Sequence, residues 1–495
     1  MEQASTLPED WYRQLASLVG PAFIELSQRA RQWAMWDAAG PYRLDGLAQH
    51  GIEPLAVVRP GSAEEVASVL RWAARHGIAI VARGAGTGVM GGAIPLRRAL
   101  VVEVDRLRDV IVEPENQLAV AGAGATLAEV NAALRPYGWM LGHDPWSLAI
   151  ATVGGAISTD GVGYMAGRWG SMSAQVAAIE FVLADGTIVR TRRYKPAAGP
   201  DLRALVAGSQ GTFAIITRAW LYVVPIPEVQ YFRSFRFRGF AAGYQAILDL
   251  WATGLRFDLL DFSDGPPERF DLEPGYEDDD GRTALLHLGA FGPAEEARAR
   301  LDVARRVLTT RGAHDLGPEP AARFWAHRHD LAERYARLVH NRRDPEARQR
   351  FASSGLDYLN LALPPARVLA YRRAALARIE REKTFVAGET GIWCRPELFS
   401  LIVLETQRDP HPGEGDATAT SGRQARAMRA LMEDLLRLAL EHDGTIEYIH
   451  GPGLKLLPLL KDEFGSGLDV IRRLKSALDP YELLNPGKWQ ANSTG

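Results

Sequence analysis
The stretch VARGAGTGVMGGAIPLRRALVVEVD, residues 81–105, decides how the chain folds. It contains GTGVMG (Gly86 to Gly91), a match to G-x-G-x-x-G, with Asp105 about twenty residues on, as a Rossmann dinucleotide fingerprint demands. That fingerprint has meaning only where a strand enters the glycines and a helix leaves them, so that a pyrophosphate sits on the helix N-terminus. A strand does enter. No helix fits afterwards: Gly92, Ala93, Ile94 and Pro95 lead through two arginines into a second strand-type run, ALVVEVD. Pro95 would forfeit a hydrogen bond inside so short a helix. The spacing predicts a glycine-rich loop between two strands, and the glycines need another reason.

A chain of 495 residues is too long for one core and predicts two domains, or one with a large insert. Its 57 basic and 60 acidic residues nearly balance, so no nucleic-acid partner is expected. The one cysteine, Cys394, excludes an intramolecular disulfide and a zinc-thiolate cluster, and points to a cytoplasmic protein. The start, MEQASTLPEDWYRQ, lacks the basic and apolar parts of a signal peptide, and no apolar run is long enough for an integral membrane segment.

Residues 1–50 read as helical segments leading to a turn at Gly51. In SAEEVASVLRWAARHG, Ser62 and Glu65 have capping-box spacing, Val66, Val69, Leu70 and Ala73 share a face, and Gly77 stops the helix. A second capping box, Thr126 with Glu129, opens TLAEVNAALRPYG, which should end near Pro136. In IEFVLADGTIVRTR, Asp185 and Gly186 predict a hairpin turn. Three further segments are rich in small residues: 122–126, 143–170 and 208–217. Such loops let backbone N–H groups approach an anion such as a pyrophosphate, although each alone could serve a tight turn. Their number favours a large phosphate-bearing ligand.

In chain order, PLAVVRPGSAEEV, RGAGTGVMGGA, ATVGGAISTDGVGYMAGRWGSM, LADGTIV, GSQGTFAIIT and LDPYELLNPGKW resemble the vanillyl-alcohol oxidase / p-cresol methylhydroxylase superfamily of FAD proteins. The resemblance is strongest to its glycolate oxidase, D-lactate dehydrogenase and alkylglycerone-phosphate synthase branches. It implies an α+β fold: a two-subdomain FAD-binding domain of the p-cresol methylhydroxylase type over residues 51–226, after the N-terminal helical segment. A substrate cap of antiparallel sheet and helices would occupy 227–440, and 441–495 would return to the FAD domain. The loop of Arg83, Gly84, Ala85, Gly86, Thr87, Gly88, Gly91 and Gly92 would wrap the FAD pyrophosphate. Asp144, Pro145, Thr152, Gly154, Gly155, Thr159, Gly161 and Gly163 would line the ribityl and isoalloxazine side. Gly211, Ile215 and Ile216 would contact the adenosine end, with Asn485 near the isoalloxazine and Lys488 close by. The first loop has neither histidine nor cysteine. His143 is the rival candidate for a covalent tether, but Asp144 and Pro145 match noncovalent relatives better, so noncovalent FAD is expected.

The family reaction, by the same resemblance, begins with hydride transfer from an alcohol-bearing carbon to flavin N5, which requires a base for the hydroxyl proton. His450, in TIEYIHGPGLK, occupies the place of the histidine in a Glu-His-Gly motif of the hydroxy-acid branch, with Ile449 where that motif has Glu. A histidine titrates near neutrality and suits the role; a core histidine between turn glycines is the alternative. Tyr448, with Glu447, echoes a phenolate-binding Glu-Tyr-Arg run that here lacks the arginine.

On LDYLNLALP, Tyr358 and Asn360 share one strand face and Asp357 takes the other. FWAHRHDLAERYARL reads as a helix on which His327 and His329 diverge; Arg328 or His329 could hold a carboxylate or simply face solvent. Metal-dependent relatives carry GHxGDGNxH where this chain has GETGIWCRPELFSLIV (388–403), without either histidine, so no metal is expected. Trp393 and Arg395 alternate onto one face there, and Arg395 is the candidate partner for a carboxylate or phosphate. The segments YEDDDGR (276–282) and RDPHPGEGDATATSG (408–422) read as a solvated and a mobile loop.

The expected function is an FAD-dependent oxidoreductase oxidising a secondary alcohol or 2-hydroxy acid. The alternatives are a phenolic or aryl alcohol oxidase of the vanillyl-alcohol type and an alkylglycerone-phosphate-synthase-like enzyme without net oxidation. Expected partners are a small-molecule alcohol and an electron acceptor left open among oxygen, a quinone and a cytochrome; a homodimer is compatible.

Overall fold
The computed structural model describes residues 7–39, 44, 52–195, 197–270, 272–273, 277–278, 281–352, 355–406 and 417–489. Gly51, Tyr276, Asp279 and Asp280 of YEDDDGR, and residues 408–416 lie outside them, and from Ala417 the chain is helical to Glu441.

Local signals in the first half act as their chemistry dictates. Ser62 accepts from the Glu65 N–H to start the helix Ala63–His76, and Gly77 ends it in the left-handed region. Thr126 and Glu129 form a complete capping box. The helix they begin stops at Leu134, and a 3-10 turn, Arg135–Tyr137, absorbs Pro136. Gly186, at φ 82°, makes the turn between the antiparallel strands Val176–Val182 and Ile188–Arg190.

The strands Ala79–Arg83 and Ala99–Glu103 are parallel neighbours, Val81 opposite Val101. Parallel neighbours need a long crossover, usually a helix. Here the crossover is the glycine-rich loop 84–98, held by tertiary contacts: Met90 enters the core of the cap, and Ile94 packs against Leu454, Leu457 and Trp489. Asp105 is occupied by Arg59, whose Nη2 lies 2.6 Å away, and by Arg343.

Two sheets flank the loops. One has four strands in the order Ile24–Glu25, Ala56–Val58, Ala99–Glu103, Ala79–Arg83; the other is a five-stranded antiparallel sheet centred on Ile215–Tyr222. The C-terminal segment returns to the first, with Leu484 bridging beside Ile80. A seven-stranded antiparallel sheet carries the cap, in the order His314–Gly317, Val229–Phe237, Thr283–Gly292, Leu259–Gly265, Phe385–Trp393, Leu398–Glu405, Leu356–Ala362. One face buries Phe235, Phe262, Leu286, Ile392, Phe399 and Leu401 beneath the helices Gly239–Ala252, Ala294–Thr310, Pro365–Arg381 and Ala417–Glu441. The period of two sends the alternate residues toward the glycine-rich loops. Among the described residues no helix is long and apolar enough to cross a membrane.

The segment 319–340 departs from one helix. It breaks into Glu319–His327, Asp330–Tyr335 and a π-helical turn, Ala336–His340. The break lets Arg328 and His329 both reach Asp144 of the FAD-side half, at 2.7 and 3.0 Å. The carboxylate they hold is therefore the chain's own.

Candidate active site
Between the loops and the cap sheet lies a cavity of ≈ 1250 Å³. Its loop side is lined by Arg83, Gly84, Ala85, Gly86, Thr87, Gly88 and Gly92, by Pro145, Thr152, Gly154, Gly155, Thr159 and Gly161, and by Gly211, Ile215 and Ile216. Among the described residues, the amides of Ala85, Gly86, Thr87 and Gly88 donate to no group of the chain. They form a run of N–H donors open to an anion. Both ring nitrogens of buried His143 lack a partner, and burial takes its imidazole down to about 4, keeping it neutral. Asp37, unnoticed in the sequence, also lines this end; burial raises its pKa.

Five of the cofactor-binding candidates line no part of the cavity. Asp144 is turned into the Arg328–His329 cluster; burial opposes its charge, but those two partners outweigh burial and hold it below its ordinary value. Gly163 backs onto the Asp144 backbone, which a Cβ would meet at 2.7 Å, and Gly91 packs on Leu454. Asn485, at φ 40°, sits behind the loops, its amide donating to the carbonyls of Gly92 and Gln210, both at 2.8 Å. Lys488 donates to the carbonyls of Gly91 and Ile94, and burial brings its ammonium down to about 7. These two residues tie loops together through the Asn485 amide nitrogen and the Lys488 ammonium, while Asn485 Oδ1 stays buried without a partner.

The cap sheet forms the opposite wall, and its register sets what faces inward. His287, Asp261 and Trp393 stand side by side on three strands. In the next row Ser263 and Gly391 lead to Ser400 and Asn360, followed by Glu389, Ile402 and Tyr358. Tyr358 and Asn360 share the cavity face, as alternation requires, while Asp357 is buried against the Lys455 ammonium at 2.7 Å.

Arg395 does not follow Trp393 into the cavity. Cys394 adopts φ 64°, and the Arg395 N–H donates to the Trp393 carbonyl at 2.7 Å, a γ-turn that ends the alternation. The Arg395 guanidinium pairs at the surface with Glu397 at 2.5 Å.

His450 reaches the cavity from the C-terminal segment. Glu447 accepts from the backbone N–H groups of Tyr448, Ile449 and His450 through one oxygen, folding the chain into a tight turn. The same oxygen lies 3.5 Å from His450 Nδ1, an ion-pair distance too long for a good hydrogen bond. Nε2 has no partner among the described residues. Burial works against the Glu447 charge, yet His450 and the backbone donors hold its pKa low. The turn sends Ile449 and His450 toward the cavity but not Tyr448, whose buried hydroxyl lacks a partner and whose pKa burial raises further.

Gln210 was legible only as part of a glycine-rich loop. Its Nε2 donates to the His450 carbonyl at 3.1 Å and its Oε1 accepts from the Gly453 N–H at 2.9 Å. Gly453, at φ 52°, passes so close to Met90 that a Cβ would lie 2.0 Å from its carbonyl oxygen. No other residue type could bring this turn against the loop.

Comparison with known proteins agrees with this layout. Residues 54–192 match the family model described as FAD binding domain, and residues 226–489 match the one described as FAD linked oxidases, C-terminal domain. D-lactate dehydrogenase of Archaeoglobus fulgidus is 26% identical, over 90% of this chain and 95% of that protein. Glycolate oxidase subunit GlcD of Bacillus subtilis is 26% identical over 97% of each chain. Alkyldihydroxyacetonephosphate synthase of Trypanosoma brucei brucei is 25% identical, over 88% of this chain and 73% of that protein. Among solved structures, an alkyldihydroxyacetonephosphate synthase superimposes with a TM-score of 0.76 at 20% identity, over 98% of this chain and 87% of that one. The 4-ethylphenol oxidase from Gulosibacter chungangensis superimposes with 0.73 at 20% identity over 98% of each chain. At those identities the structures share the fold.

The cofactor is FAD. The open amides of residues 85–88 and the size of the cavity fit a dinucleotide. No helix leaves the glycines of this loop, so it is not a Rossmann one.

Proposed function
Because the chain belongs to the FAD-linked oxidases, an enzyme family, we propose that it oxidises a CH–OH group, with His450 as the base that takes the hydroxyl proton. The supporting observation is that one cavity holds the glycine-rich loops at one end and His450, Tyr358 and Asn360 at the other. FAD, when bound, accepts the hydride from the carbinol carbon. The chain supplies the rest. Glu447, on the Nδ1 side of His450, favours the imidazolium that forms and leaves Nε2 for the hydroxyl. Gln210 holds the His450 turn against the loop, so the base keeps one position relative to the cofactor site. Tyr358 and Asn360 orient the hydroxyl from the cap wall.

The loop residues would hold FAD noncovalently: residues 84–92 contain neither histidine nor cysteine, and Asp144 and Pro145 beside the rival His143 match noncovalent relatives. A simple alcohol suits the cavity better than a 2-hydroxy acid. The one arginine of the cap that lines it, Arg269, is paired with Glu389, leaving no free cation there among the described residues for a carboxylate.

The test is the visible spectrum of the purified holoenzyme, recorded anaerobically with secondary alcohols, 2-hydroxy acids and aryl alcohols in turn. Bleaching by an alcohol supports the proposal. A flavin that no alcohol of any charge bleaches overturns it.

A further inference from the structure
On the cap wall, five cavity-lining side chains close into a ring. Trp393 meets Tyr164 edge-on at 5.5 Å, Tyr164 meets Phe324 edge-on at 6.1 Å, and Phe324 stacks on His287 at 5.1 Å. Asp261 completes it, as the direct cross-strand neighbour of both His287 and Trp393. The members come from three strands of the cap sheet, the cap helix Glu319–His327 and the FAD-side residue Tyr164, so the ring exists only when cap and FAD domain are docked.

Asp261 is the ring's one acid, and its carboxylate pairs with no group of the chain among the described residues. Its neighbours leave it no free positive charge. His287 Nδ1 is engaged by the Ser234 hydroxyl at 2.9 Å, and burial takes the ring's pKa down to about 4, so it stays neutral. Arg269 is held by Glu389. An unpaired carboxylate set among aromatic side chains has the chemistry of a cation receptor: the acid supplies the charge, and a ring quadrupole adds attraction to a cation that lies over its face.

We propose that this ring receives a cationic nitrogen of the substrate, a protonated or quaternary ammonium group set apart from the carbon that is oxidised. This rests on the alcohol oxidation proposed above and names its substrate class, an amino alcohol. It also explains why a carboxylate substrate suits the wall poorly: its charge would face Asp261 with no free arginine to answer it.

The test is equilibrium binding to the oxidised holoenzyme, followed by perturbation of the flavin spectrum, with two isosteric probes: choline and 3,3-dimethylbutan-1-ol. They differ in one atom and one charge. Choline binds about tenfold more tightly in the native enzyme. Asp261→Asn keeps the shape and abolishes that preference, and Trp393→Leu reduces it from the aromatic side, both with flavin content as in the native protein. Equal affinity for the two probes, tighter binding of the neutral one, or a preference that survives Asp261→Asn overturns the proposal. Because the readout is binding, an enzyme that prefers choline but is bleached by no alcohol would retain the cation site and refute the oxidation instead.

Discussion
Gln210 holds His450 in place. From a left-handed turn at φ 52° in the glycine-rich segment 208–217, its side-chain amide spans the turn that carries His450, bonding the His450 carbonyl on one side and the Gly453 N–H on the other. His450 is therefore positioned by the FAD-side half of the molecule, although it belongs to the C-terminal segment. Gln210→Ala should retain FAD and slow flavin reduction by about tenfold, through loss of positioning. Stopped-flow reduction with a bleaching alcohol measures this; an unchanged rate would show that the turn holds itself.

His450→Ala should keep FAD bound and slow flavin reduction by at least ~100-fold, the low end for loss of a general base. The loss should shrink as pH rises, because hydroxide can take the hydroxyl proton in place of the missing base. The rate ratio across pH 6 to about 10 checks the role; reduction kinetics like those of the native enzyme would remove His450 from the chemistry.

Asp144 should control docking of the cap. Its carboxylate is the shared partner of Arg328 and His329, and Asp144→Ala leaves the Arg328 charge shielded and unpaired, a loss of about 3 kcal/mol. Its pKa in the folded protein lies below the ordinary 3.8. The stabilisation is thus complete above that value and disappears as pH falls through the lower, folded one. Thermal unfolding at neutral pH and near pH ~3 should show a large difference between native and variant at the first and a smaller one at the second.

Binding of an ammonium probe should strengthen as pH rises through about 7, where burial first, and then the nearby Glu389 charge, have pushed the Asp261 carboxyl up against the opposing pull of Arg269. Only the ionised acid attracts the cation. Of the groups around it, His287 is neutral and the thiol of Cys394 and the hydroxyls of Tyr164 and Tyr448 are raised by burial, while burial also raises Glu389 against the pull of its partner Arg269. Choline titrations at pH 6 and about 8 test this; equal affinity at both would count against Asp261 as the titrating group.

Acid precipitation should release all of the flavin into the supernatant. Colour retained in the pellet would mean a covalent tether, and loss of that colour in His143→Ala would identify its site.

Capping and turn signals that act at short range were available in the sequence, whereas the single helix expected over FWAHRHDLAERYARL broke between His327 and Asp330. Ser62, Thr126 and Gly186 act on neighbours within a few residues, so capping and turn chemistry located them. The absence of a helix after Gly91 followed from Pro95, and Tyr358 and Asn360 fell on one face by the period of the strand. The order of the glycine-rich motifs pointed to FAD. What tertiary structure alone decided depends on partners distant in the chain. Asp144, Asn485 and Lys488 lay in the right motifs, yet Arg328, His329 and the carbonyls of Gly91, Gly92, Ile94 and Gln210 claimed their side chains. Arg395 left the wall because one residue, Cys394, adopted a positive φ that no pattern of polarity announces. Asp261 was invisible because an acid on a strand reads the same whether it faces water or a cavity. Only the register of three strands and the docking of Tyr164 and Phe324 set it within a ring of aromatic side chains.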